Sequence, residues 1–349
     1  MKKTLLIGNG ININFGGKAY SNQFIIKRII FNARAGKYDL LFNGKISGEQ
    51  IEEVFLNLAE LANAISRGEC DSVVTTEEIP LLEDFKRRYS KKVEHYYDVG
   101  LEDWLFILHI FFLKNDDLKN IWRPVKYSFE QMMLDAIYND GDIQKIYLSM
   151  GKPVKRWLEQ YDEIFTLNYD NNVESLIKKP VFHLHGDYST PANSENPNTI
   201  LGHQRTEAHQ TVVVPGFEHC YCNALFDYRG ENKLQVADGF ERGKESVKRL
   251  SDSGVPASVF PAPAAGLVQT HREHPELEIA PTYHFDEFRK LDGEIHIIGM
   301  SPNNDGHIFK LIDQSTVDKV VFYFYSESEK KQKLPLHQKV EYRSAPDLW

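Results

Sequence analysis

Residues 3–7, Lys3-Thr4-Leu5-Leu6-Ile7, make a short apolar run closed by glycine, the pattern of a strand covered on both faces. A glycine-rich turn follows, and from Tyr20 to about Asn32 the positions Phe24, Ile25, Ile29 and Ile30 recur at helical spacing. The chain therefore opens as strand, glycine turn, helix, half of a βαβ unit. The next hundred residues are helical in pattern: Ile51, Val54, Phe55, Leu58, Leu61 and Ile65 share one face, and Leu101, Trp104, Leu105, Leu108 and Phe112 another. Strand signals return at 163–167, 180–184, 294–298 and 319–325, most of them followed by a loop of Asn, Asp, Gly or Ser and a helical stretch. The expectation is an α/β fold, a Rossmann-like and mostly parallel sheet built from 1–45 and 160–349, with a helical insertion over 46–159. Residues 186–285, rich in Pro, Asn, Ser and His, show no clear period and predict long ordered loops with one helix near 235–250.

Composition narrows the function classes. The 349 residues are 42% hydrophobic and 26% charged, which suits one large or two smaller folded domains. A formal charge of -9 repels nucleic acid at long range, so no direct nucleic-acid binding is expected. The longest apolar run, 104–113, is interrupted by His109 and is about half the roughly 20 residues that span a bilayer. The apolar stretch near the N-terminus is shorter than a secretory signal needs; the expectation is a cytoplasmic protein with no membrane partner. The three cysteines, Cys70, Cys220 and Cys222, form no Cys-x-x-Cys pair, so neither a disulfide framework nor a metal is expected, His219 beside Cys220 and Cys222 being the one weak metal candidate.

Four stretches carry candidate chemistry. The first is the turn Gly8-Asn9-Gly10-Ile11-Asn12, where glycines at a strand-to-helix junction let backbone N–H groups approach a phosphate, or simply allow a tight turn. It is not the dehydrogenase fingerprint, because the third glycine is replaced by Ile13 and Ile30 stands where the ribose-binding acid belongs. Nor is it a P-loop, which would need Gly at 12 and Ser or Thr at 19 where the chain has Asn12 and Ala19. The second is Thr166-Leu167-Asn168-Tyr169-Asp170 at a strand end, a ligand position in parallel sheets or a helix cap. The third is Phe182-His183-Leu184-His185-Gly186, in which His185 is placed as a base near neutral pH and His183, two residues earlier, is expected on the same side. In the fourth, Gly299-Met300-Ser301 through Asp305, Ser301 or Asp305 serves a ribose hydroxyl or caps a helix.

Taken in order, Gly-Asn-Gly, Thr-x-Asn-x-Asp, His-Gly and Gly-x-Ser resemble the sirtuin family over residues 1–17 and about 160–310. The resemblance implies NAD phosphates on Gly8, Asn9, Gly10 and Asn12, ribose and nicotinamide held by Asn168 and Asp170, His185 as general base, and the adenosine ribose near Gly299, Ser301 and Asp305. Asn168 and His185 are the catalytic expectation. The chain lacks the Phe-Arg pair and the paired Cys-x-x-Cys zinc module of sirtuin deacylases. In the Gly-Asn-Gly and Asn-Tyr-Asp spellings, and in the helical insertion, it is similar instead to bacterial sirtuin-like anti-phage effectors and the related abortive-infection AbiH family. That similarity implies an NAD hydrolase yielding nicotinamide and ADP-ribose, with NAD as substrate, a homo-oligomer, and a partner such as a HerA-type ATPase or another phage sensor. The competing expectations are a protein deacylase or ADP-ribosyltransferase on the same scaffold, and a non-catalytic NAD-binding subunit of a defence complex.

Overall fold

The computed structural model describes residues 2–210, 212–301 and 305–349. Among these, six strands form one all-parallel sheet: β1 (Lys3–Ile7), β2 (Glu163–Thr166), β3 (Phe182–His183), β4 (Asp292–Ile298), β5 (Thr316–Phe324) and β6 (Lys339–Ser344). Their lateral order is β3-β2-β1-β4-β5-β6. Winding proceeds outward from β1 in one direction and from β4 in the other, the order of a Rossmann-like α/β sheet, whose ligand crevice lies beyond the carboxyl ends of the two strands where winding reverses. Those strands are β1 and β4, with Ile7 opposite Ile298 in register and opposite Thr166 on the other side.

Two compact units make up the chain: Met1–Ile11 with Gln144–Trp349, and Asn12–Ile143. In the sheet unit Leu6, Phe165, Ile295, Ile297 and Phe322 join Phe288, Phe309 and Ile312 in one buried cluster. Helices must cover both faces of an all-parallel sheet, which is why the inner strands read as nearly continuous apolar runs. Among the described residues of 186–285 there are three helices of eight residues or more, Ile200–Glu207, Glu231–Asp252 and Ala262–Glu273, where the sequence predicts one. The third starts within a Pro-Ala tract, because proline in a first helical turn forfeits no hydrogen bond.

The helical unit contains Asn22–Arg34, Gly48–Ser66, Ile79–Arg88, Leu101–Lys114 and Trp122–Tyr138. It extends from 12 to 143 rather than over 46–159, because Asn22–Arg34 packs on Gly48–Ser66 and Trp122–Tyr138, whereas Lys152–Leu158 packs on Asn172–Ile177 in the sheet unit. Phe55 anchors its core, with Trp104 edge-on at 4.7 Å and Phe129 stacked at 5.1 Å between centroids. Ser47 and Gln50 form a capping box at the start of Gly48–Ser66. Asp103, 2% exposed, is held in a fork by Arg88 and accepts from Tyr89. Burial pushes its carboxyl up to about 6 against the pull of these partners.

Candidate functional site

The first and fourth motifs meet at the switch point, backbone against backbone. Gly8 N–H donates to the Ile298 carbonyl and Gly10 N–H to the Gly299 carbonyl, each at 2.9 Å. A Cβ on Gly8 would fall 2.5 Å from the Gly299 oxygen, and one on Gly10 2.5 Å from the Gly299 Cα. Gly299 has φ +73°, a left-handed conformation, and its own Cβ would come within 2.9 Å of three backbone atoms of the first turn. The glycines are thus required by the contact between the two turns. Asn9 is exposed, Gly10 and Ser301 are half-buried, and Asn12, buried, begins the helical unit. Pro302, Asn303 and Asn304 lie outside the described residues.

The second motif joins the first through Asn168. Its Nδ2 donates to the Gly8 carbonyl at 3.4 Å, and its backbone N–H donates to Thr166 Oγ1 at 3.1 Å. The Asn168 carbonyl in turn accepts from His183 Nδ1 at 2.9 Å, while His183 Nε2 meets Glu174 Oε1 at 2.6 Å. Burial opposes a charge on His183, but the Glu174 carboxylate outweighs it and raises this imidazole above its ordinary value. Asp170, also buried, accepts from the backbone N–H and the side-chain amide of Asn172, which starts the helix Asn172–Ile177. Asp305 precedes the helix Gly306–Gln314 without capping it by its side chain, its N–H donating to the Ser301 carbonyl.

His183 and His185 have different partners, because β3 ends at His183 and strict alternation ends with it. The chain then turns through Gly186, at φ +80° and with Asn223 backbone 2.3 Å from any added Cβ, so glycine is required after His185. His185 is 3% exposed. Its Nε2 lies 3.2 Å from His307 Nε2 and its Nδ1 3.4 Å from Lys233 Nζ. Both ring nitrogens are engaged within the protein. Desolvation first, then the Lys233 charge and His307, hold His185 well below the ordinary histidine value, and desolvation with Lys233 brings His307 down to about 3. Both rings are therefore neutral at pH 7.

Sequence reading missed Glu174, Lys233 and His307. His307 lies two residues beyond Asp305, inside the fourth motif's helix, where a longer motif window would include it. Lys233 sits near the start of Glu231–Asp252, a helix rich in Glu, Asp, Lys and Arg that reads as solvated, yet the residue is 1% exposed. Among the described residues, no group of three His, Cys, Asp or Glu is placed to hold a metal, and no helix is long and apolar enough to cross a membrane. Comparisons with protein-family models, curated proteins and solved structures return no match.

Proposed function

We propose that the chain is an NAD glycohydrolase: NAD and water give nicotinamide, ADP-ribose and a proton. The observation that carries the reading is the convergence of all four motifs. Gly8 and Gly10 hydrogen-bond to β4 and the Gly299 turn, Asn168 reaches Gly8, His183 holds Asn168, and His185 pairs with His307 in the helix that follows. In a sheet of this order that crevice is where a nucleotide binds.

Cleavage of the nicotinamide–ribose bond passes electrons to the pyridinium nitrogen and leaves positive charge on the ribose. Asn168, an amide that donates and accepts without ionising, would orient the ribose or the water that adds to it. Neutral His185 and His307 would add no charge of their own beside that cation. Asp170 would contribute negative potential or a contact to the carboxamide. Action as an anti-phage, abortive-infection effector in the cytoplasm, through a homo-oligomer or a partner such as a HerA-type ATPase, belongs to the same proposal and rests on the sirtuin-like motif order.

The test is nicotinamide release from NAD by the purified chain, alone and with a candidate partner ATPase, beside Asn168→Ala and His185→Ala. Release that both substitutions abolish is the expected result. NAD binding with no release in any combination would reject the hydrolase in favour of a nucleotide-binding subunit, a second reading favoured by the burial of His185.

A further inference from the structure

The partners of His185 differ in character, and that difference fixes where its protons sit. Lys233 Nζ faces Nδ1 at 3.4 Å, and an ammonium has donors only. Nδ1 of His185 therefore accepts, and the single proton of the neutral ring is on Nε2. That proton is directed at His307 Nε2, 3.2 Å away across rings inclined by 15°. His307 Nε2 must accept in turn, which leaves the His307 proton on Nδ1. Among the described residues His307 Nδ1 has no hydrogen-bond partner, although the residue is 5% exposed.

A buried donor with nothing to meet is a liability that an apolar side chain would avoid. The neighbouring positions Ile308, Phe309, Leu311 and Ile312 are all apolar and buried. His307 alone departs from that pattern, at the first turn of the helix that follows the Gly299 turn.

We infer that His307 is a ligand-binding residue, its Nδ1–H being the last donor in a one-way chain, Lys233 to His185 to His307, and meeting an oxygen of the ribose–phosphate portion of a nucleotide. Its ligand rests on the nucleotide reading above; the chain of donors does not. In this arrangement His185 is a positioning residue that acts on the ligand through His307. Lys233, buried on a separate helix, sets the direction of the chain.

Two substitutions separate binding from packing. His307→Gln carries an amide to the Nε2 position, keeping the reach to His185 but offering nothing at Nδ1. His307→Asn carries an amide donor to the Nδ1 position and gives up His185. Calorimetric titration with ADP-ribose should show His307→Gln weakened about tenfold or more, the loss of one hydrogen bond to a polar ligand, and His307→Asn close to the wild-type chain. Full affinity in His307→Gln, or equal loss in both variants, would overturn the inference while wild-type binding kept the nucleotide reading intact. A wild-type chain that bound neither ADP-ribose nor NAD would remove that reading and the ligand assignment together. Independently, imidazole ¹⁵N shifts of the wild-type chain at neutral pH should report His185 protonated on Nε2 and His307 on Nδ1; the opposite tautomer at either ring would refute the chain of donors whatever the ligand.

Discussion

Mild acid should destabilise the sheet unit. Three of its histidines are buried and held neutral: His185, His307 and His296, the last in β4 between the hydroxyls of Tyr161 and Tyr323 at 3.0 Å each. Burial, with Glu294 pulling the other way, takes His296 down to about 4, and His307 lies at about 3. In the unfolded chain each titrates near the ordinary value of about 6.5. A depressed folded value means that the unfolded state binds more protons below that point, so the contribution is present above about pH 6.5 and is lost as pH falls. At about pH 5 His296 and His307 cost about 2 kcal/mol each, about 4 together, and His185 adds to the loss in the same sense. Against a typical total stability of about 5–15 kcal/mol that is a large fraction. His183 has the opposite sign, its contribution being complete in acid, and acid does not remove it. Urea unfolding followed by far-UV circular dichroism at about pH 7, 6 and 5 measures the effect. The slope of stability against pH should correspond to uptake of two or more protons on unfolding, and His307→Gln should lower the uptake by one. An unfolding free energy that stayed level from pH 7 to 5 would refute the assignment of buried neutral histidines.

Gly10→Ala should lower stability by about 1–3 kcal/mol and reduce the melting temperature even without nucleotide, because the new Cβ meets the Gly299 backbone; an unchanged melting temperature would argue against the close contact of the two turns. Arg88→Ala should cost about 3–5 kcal/mol in chemical denaturation by stranding the buried Asp103 carboxylate. Glu174→Gln should bring His183 back down in an NMR titration and loosen its hold on the Asn168 carbonyl, slowing any nicotinamide release without abolishing NAD binding. A His183 titration identical to wild type would show that Glu174 is not its partner.

How far the sequence was legible depended on burial. β1 is the short run Thr4-Leu5-Leu6-Ile7, apolar but for Thr4, between a charged start and a glycine, and its observed limits are those that the pattern predicts. β6 was unreadable because Lys339-Val340-Glu341-Tyr342-Arg343-Ser344 lies at the sheet edge with no residue fully buried, and an edge strand needs no apolar run. Long-range pairing also hid the reason for each glycine: the turn at Gly8–Gly10 was visible, but only β4 packed beside β1 shows that Gly299 excludes side chains there. The His-Gly pair was legible as the close of a strand signal, although β3 itself stops two residues earlier at His183. Its partners Lys233 and His307 come from helices 48 and 122 residues further along, and no local pattern distinguishes a buried lysine from a solvated one.

The placement of β1 has a consequence for how the chain is made. Its neighbours in the sheet are β2, which begins at residue 163, and β4, which begins at residue 292. At a synthesis rate of about 5–20 residues per second, the segment Thr-Leu-Leu-Ile waits roughly 8–30 seconds for its first partner strand and up to a minute for its second. The intervening helices of Asn12–Ile143 make a compact unit of their own, whose residues are all synthesised before β2. The ribosome therefore delivers the last part of the candidate site, the Gly299 turn and His307, to a strand whose β4 side has stood open for nearly three hundred residues of synthesis. During that interval a chaperone has the most to hold, and a second nascent chain the best opportunity to pair in the wrong place.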